Sequence, residues 1–158
     1  MMIRVGFGFD VHQLVENRPM WLGGILIEHT HGLLGHSDAD VLIHAICDAL
    51  LGAANMRDIG FHFPDTGADY KDVDSKLLLR RSVELIAQKG FKVGNVDCTI
   101  VAERPKINPH VEAMKACLAP LMNVTEEEIS IKATTCERMG FVGREEGITA
   151  YATVLIEK

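Results

Sequence analysis

The sequence predicts an α+β domain in which helices pack on one face of a small, mixed, four-stranded sheet. Three observations carry this expectation. Strand-like segments lie near both ends of the chain, at Ile3 to Phe9 and Ile148 to Ile156, with others between them. Helical segments carry apolar residues at i, i+3, i+4 and i+7 behind capping residues. The order strand, strand, helix, helix, strand, helix, strand, strand suits helices gathered on one side of a sheet. The other face then needs cover, and self-association is the obvious candidate. A length of 158 residues fits one domain, 1–158, with its own core.

In the first strand Ile3, Val5, Phe7 and Phe9 alternate with Arg4, Gly6 and Gly8. Met20 to Ile27 is a second strand region, bent at Gly23-Gly24 like a hairpin or bulge. His29 and His31 fall in a polar turn beside Gly32 and read as solvated. Ser37 or Asp38 can cap the first helix, because either side chain accepts the orphan backbone N–H groups. Leu42, Ala45, Ile46, Ala49, Leu50 and Ala53 form its stripe, and it ends near Gly52 to Asn55. Asp58 to Gly67 reads as a loop, with Pro64, Asp65 and Thr66 as turn formers. Asp74 or Ser75 caps a second helix that stops at Gly90. Phe91 to Val101 is a strand. Asn108 caps a third helix with Pro109 at its first position, and Pro120 kinks or ends it. Thr125 to Glu128 forms a capping box. Ile129 to Thr135 and Ile148 to Ile156 are the last strands.

A hydrophobic content of 47% with a mean hydropathy of +0.12 is apolar for a small soluble protein and hints at subunit interfaces. A net charge of −6 argues against a general nucleic-acid binder, which needs a basic face. His44 and Asp48 interrupt the apolar stretch Val41 to Ala54, so no membrane span is expected, and the N-terminus has no signal-peptide core. Cys47, Cys98, Cys117 and Cys136 form no C-x-x-C pair and read as reduced cysteines of a cytoplasmic protein.

The chemistry gathers at three places. Asp10 and His12 share one side of an extended chain. His44 lies nearly opposite the centre of its helix stripe, on the side of Asp40, Cys47 and Asp48. Together Asp10, His12 and His44 would make a three-ligand zinc site with one open position, the catalytic pattern. His36, Asp38 or Asp40 could replace any member. Thr134, Thr135 and Glu137 form a second polar cluster, suited to a Mg²⁺ held mainly by substrate phosphates. Two cations flanking a polyphosphate are a solution to in-line phosphoryl transfer. Arg144, near two glycines, could bind an anion or pair with Glu145 or Glu146.

Several motifs, in one order, span nearly the whole chain: Gly8-Phe9-Asp10-Val11-His12, His36-Ser37-Asp38-Ala39-Asp40, Asp58-Ile59-Gly60, Phe63-Pro64-Asp65-Thr66, Pro105-Lys106 and Ala133 to Phe141. With them the sequence resembles the 2-C-methyl-D-erythritol 2,4-cyclodiphosphate synthase family. The resemblance implies a lyase of non-mevalonate isoprenoid synthesis. It would convert 4-diphosphocytidyl-2-C-methyl-D-erythritol 2-phosphate to the cyclic diphosphate, with release of CMP. It implies Zn²⁺ on Asp10, His12 and His44, and Mg²⁺ or Mn²⁺ on Glu137 with phosphate oxygens. His36 and Thr135 would stabilise the transition state.

By the same resemblance Ser37 helps seat the erythritol phosphate, alongside Asp10, His12 and His36. Asp58, Ile59, Gly60, Phe63, Pro64, Asp65, Thr66 and Gly67 contact the erythritol moiety. Ala102, Glu103, Arg104, Pro105, Lys106, Ile107, Asn108, Thr134, Thr135, Cys136 and Glu137 line the cytidine side. The family is a homotrimer with active sites between subunits. Its central cavity would be met here by Phe9, Phe141 and Arg144, which could hold an isoprenoid diphosphate. Phe141 and Arg144 also count among the expected ligand contacts.

Four positions depart from the family pattern: Phe7 for His, Ala39 for Gly, Gly67 for Asp and Cys136 for Thr. Two other classes fit the same residues. One is a zinc phosphodiesterase that hydrolyses rather than cyclises; the other is a metal-independent trimeric binder of isoprenoid diphosphates.

Overall fold

A computed structural model describes residues 1–64 and 73–158. The core of the fold is a long first strand, β1 (Ile3–Glu16), with a partner on either side. The last strand, β7 (Gly147–Glu157), pairs antiparallel with it from Ile3↔Glu157 to Gln13↔Gly147. At its far end β1 pairs antiparallel with β4 (His31–Leu34). On the other side of β7 come β5 (Lys92–Val101), antiparallel, and then β6 (Ile129–Thr134), parallel to β5. The order β4-β1-β7-β5-β6 makes a mixed sheet of five strands, not the expected four. The fifth strand is β4, in what reads from sequence as a polar turn. Gly32 misleads there because it serves close packing: a Cβ on it would lie 2.3 Å from the carbonyl oxygens of Arg18 and Pro19.

Met20–Leu22 (β2) and Ile25–Ile27 (β3) form the expected hairpin as a separate two-stranded sheet. Gly23 and Gly24, at φ 62° and 79°, are its turn residues, as a tight two-residue hairpin of the primed type requires.

The first helix, α1 (Val41–Ala53), lies on the sheet, and eleven of its residues are buried. Glycine on β1 makes this possible. A Cβ on Gly6 or Gly8 would lie 1.9 Å from the carbonyl oxygen of Ala49 or Ala45. The even-numbered side of β1 therefore faces the helix. The bulky residues Ile3, Val5, Phe7, Phe9 and Val11 point away from it and are exposed. The cap of α1 is Asp40, not Ser37 or Asp38. Its carboxylate accepts from Ile43 N–H and also from Gly23 and Gly24 N–H at 2.9 and 2.7 Å, tying the hairpin to the helix start. Burial pushes the Asp40 carboxyl up, against these three donors.

A short turn of helix, α2 (Ile59–His62), is capped by Asp58 within the expected loop. The longer α3 (Ser75–Gln88), capped by Asp74, packs on α1. The fourth helix, α4 (Val111–Met122), follows a 3-10 turn at Asn108–His110, so Asn108 does not cap it. Pro120 stays inside α4 on its exposed side, where water can reach the Ala116 carbonyl that loses its donor; Asn123, at φ 57°, ends the helix. The Thr125–Glu128 capping box is present. One further turn, α5 (Gly140–Gly143), precedes β7. No helix among the described residues is long and apolar enough to cross a membrane.

Candidate active site

Two steps beyond Gly8, the helix-facing side of β1 carries Asp10 and then His12, both next to the first turn of α1. His44 comes from that turn and is buried, because α3 and the 36–40 loop cover the side of α1 that sequence leaves polar. Asp10 Oδ2 lies 3.0 Å from both His12 Nε2 and His44 Nδ1, which are 3.1 Å apart. Bonds of about 2.0–2.1 Å to one tetrahedral ion would place such atoms about 3.3 Å apart. The three atoms thus converge at nearly the spacing a zinc ion imposes.

Each ring is held from behind. The Nδ1–H of His12 donates to the Leu34 carbonyl at 2.8 Å, which leaves Nε2 for the centre. His44 Nε2 lies 2.9 Å from Ser75 Oγ and 3.2 Å from Ser37 Oγ. Burial works against ionising Asp10, but the two imidazoles outweigh it and hold its carboxyl at about 2. Burial likewise opposes charge on His12, yet the hydrogen bond and charge of Asp10 raise its pKa above the ordinary 6.5.

The structure narrows the alternatives. Asp40 is spent on its three backbone donors, and Asp38 accepts from Ser75. His36 remains near the cluster, exposed at the mouth of a cleft of about 200 Å³ that it lines with the triad, Ser37, Ile59, Gly60 and Phe63. Arg18 donates to the Gly35 and Ser37 carbonyls at 3.0 and 2.8 Å, clamping the backbone on both sides of His36. Asp48 accepts from Ile59 N–H at 2.8 Å and anchors the start of α2. Ala39, where the related motif has Gly, sits at φ 60°, a conformation that costs a non-glycine residue about 1 kcal/mol. Pro64 ends the first described segment; Asp65, Thr66 and Gly67 lie outside the described residues.

The second expected group gathers elsewhere. Ala102, Glu103, Pro105, Lys106, Ile107, Asn108, Thr134 and Thr135 line a cavity of about 390 Å³, and none of them lines the first cleft. Arg104 and Arg138 face a neighbouring cavity of about 700 Å³ with His29 and Glu145. Thr135 Oγ1 donates to Glu137 Oε1 at 3.2 Å. Glu103, expected to touch ligand, uses one carboxylate oxygen to accept from Cys136 and Arg138 N–H at 3.1 and 2.8 Å. It anchors the loop in which Glu137 and Arg138 both have positive φ. Asp10, Ala150, Ile100 and Ala133 stand in one row across β1, β7, β5 and β6. Three strand spacings put Asp10 and Ala133 about 14 Å apart. Within one chain the two groups do not meet.

Phe9 packs on Tyr151 with ring centroids 5.1 Å apart, and Phe141 is exposed. Arg144 forms a two-pronged ion pair with Glu146, at 2.8 and 3.1 Å. Sequence reading overlooks Arg18, Asp48 and the anchoring use of Glu103. Each acts on backbone far along the chain, and spacing carries no signal of that.

The model of the YgbB family matches residues 3–157. The chain belongs to the YgbB family. It is 69% identical, over its full length and 99% of the relative's, to 2-C-methyl-D-erythritol 2,4-cyclodiphosphate synthase of Bacteroides thetaiotaomicron. Among solved structures, it superposes on the bifunctional IspDF of Campylobacter jejuni with a TM-score of 0.94 and 41% identity. That match covers 98% of this chain and 42% of the bifunctional one. A 2C-methyl-D-erythritol-2,4-cyclodiphosphate synthase in a CDP-bound form matches with a TM-score of 0.90 and 36% identity, over 98% of this chain and all of the other. YgbB membership and the Asp10–His12–His44 cluster therefore coincide in one chain.

Proposed function

We propose that this YgbB-family chain is a single synthase domain over residues 1–158. It converts 4-diphosphocytidyl-2-C-methyl-D-erythritol 2-phosphate to 2-C-methyl-D-erythritol 2,4-cyclodiphosphate and CMP, in isoprenoid synthesis in the cytoplasm. The observation that carries this reading is the convergence of three metal-binding atoms in a chain 69% identical throughout to a protein of that name.

An oxygen of the substrate's 2-phosphate attacks the β-phosphorus. The bond from that phosphorus to the bridging oxygen breaks, and CMP leaves with the electron pair. The substrate supplies its own nucleophile, so the protein needs only to fold two anions together and neutralise them. Asp10, His12 and His44 would hold Zn²⁺, which supplies Lewis-acid neutralisation of a phosphate oxygen. Glu137 would share Mg²⁺ or Mn²⁺ with substrate phosphates. His36, at the cleft mouth, and the Thr135 hydroxyl, which would give up its bond to Glu137, donate to developing negative charge. Ser37 and the α2 residues seat the erythritol phosphate, and the cavity beside Lys106 takes the cytidine.

Two observations support a homotrimer with sites between subunits. The sheet face opposite α1 exposes Ile3, Val5, Phe7, Phe9 and Tyr151 to solvent, a patch suited to burial against other copies. Asp10 and Ala133, in the strand that leads into the Thr135–Glu137 loop, stand about 14 Å apart within one chain, which favours a second group brought to the first cleft by another copy. An isoprenoid diphosphate on the three-fold axis would meet Phe9 and Phe141, and Arg144 would exchange Glu146 for the diphosphate. The four free cysteines suit a reducing compartment.

The test is ³¹P NMR of the protein with the cytidine substrate and Mg²⁺. A cyclic diphosphate with CMP is the expected product. A linear phosphorylated product would make the protein a phosphodiesterase instead.

A further inference from the structure

The structure assigns Ser75 and Asp38 as positioning residues that decide which nitrogen of His44 faces the metal centre. This rests on the zinc reading above, but the argument itself uses only hydrogen-bond directions.

Ser75 is the first residue of α3 and is fully buried. Its N–H, one of the unpaired donors at a helix start, is taken by Asp38 Oδ2 at 3.0 Å. Its hydroxyl donates to the other oxygen of the same carboxylate. A serine hydroxyl has one hydrogen, and a carboxylate offers only acceptors. With that hydrogen committed to Asp38, Ser75 Oγ can only accept from His44 Nε2, 2.9 Å away. The proton of neutral His44 therefore sits on Nε2, and Nδ1 is bare. Nδ1 is the nitrogen that lies 3.0 Å from Asp10 Oδ2 and 3.1 Å from His12 Nε2.

The arrangement is a carboxylate acting on a metal-binding histidine with one hydroxyl inserted between them. Ser37 Oγ makes a longer contact with the same nitrogen, at 3.2 Å, and already takes the Ala39 N–H. The backbone fastens the relay again, since Asp38 N–H donates to the Val73 carbonyl at 3.1 Å. Asp38 thus joins the loop bearing His36 and Ser37 to the start of α3, with His44 between them.

The test is long-range ¹H–¹⁵N correlation NMR on metal-free protein labelled at histidine, followed by zinc competition against a chromophoric chelator. Wild-type His44 is expected to carry its proton on Nε2. Ser75→Ala should lose that preference and bind zinc roughly 10–100-fold more weakly, with Asp38→Asn shifted the same way. A wild-type proton on Nδ1 would overturn the assignment without any variant. So would zinc affinities in both variants equal to wild type. A wild type with the expected tautomer but no zinc affinity would remove the zinc reading and leave the tautomer assignment standing.

Discussion

The Asp10–His12–His44 cluster and the Thr135–Glu137 loop lie towards the same end of the sheet, but the first is held by side chains in a packed wall and the second by its backbone. In the cluster each ring has a fixed partner behind it, Leu34 for His12 and Ser75 for His44, and the three candidate ligand atoms already converge. In the loop, Glu103 secures two backbone N–H groups, while the side chains of Thr135 and Glu137 remain exposed. The first region presents three potential ligand atoms already converged. The second offers one carboxylate, and under the proposed function phosphate oxygens would complete a cation's shell there.

The largest effect that could break this contrast is at His44. His44→Ala should lose bound zinc, seen by elemental analysis, and lower turnover by more than about 100-fold, since even outer partners of metal ligands cost 10–100-fold. An active, zinc-free variant would refute the ligand assignment. Thr135→Ala should lower kcat by about 100-fold, as loss of one donor to developing charge does, with zinc content unchanged. Glu103→Ala should cost about tenfold in kcat/KM through misplacement of the loop, again with zinc retained.

A further effect is graded with pH. His12 Nε2 must lose its proton to bind zinc, and its pKa is raised in the metal-free protein. Zinc affinity measured by chelator competition should therefore fall about tenfold per pH unit below that raised value. Stability of the metal-free protein should move the opposite way. The contribution of His12 is full below the unfolded value of about 6.5 and is lost as pH rises through the folded one. Asp10, at about 2, stays ionised across this window.

Much of this was legible in the sequence, and what was not has identifiable causes. Period-two alternation places Asp10 and His12 on one side and helix periodicity separates His44 from its stripe, but the pattern leaves His36, Asp38 and Asp40 as alternatives, and only the family resemblance picks out the triad. Which side of β1 faces inward could not be read from bulk, because Gly6 and Gly8, not the flanking Val5, Phe7 and Phe9, receive the helix. β4 was hidden by a glycine that looks like a turn signal. Asp40 displaced two earlier cap candidates because it also meets the β2–β3 turn, a contact that appears only once the chain has folded. Ser75 reads as an ordinary helix-start serine, and its tie to His44, 31 residues away, has no local signature.

The most direct test of the two-part site is a mixed oligomer. His44→Ala and Glu137→Ala chains, each inactive alone, would be co-expressed with different affinity tags and purified through both. If each site joins the cluster of one subunit to the Glu137 loop of the next, every mixed trimer contains a single intact site and should show about one third of wild-type activity. Mixed trimers as inactive as their parents would contradict the account and place both groups of each site in the same chain.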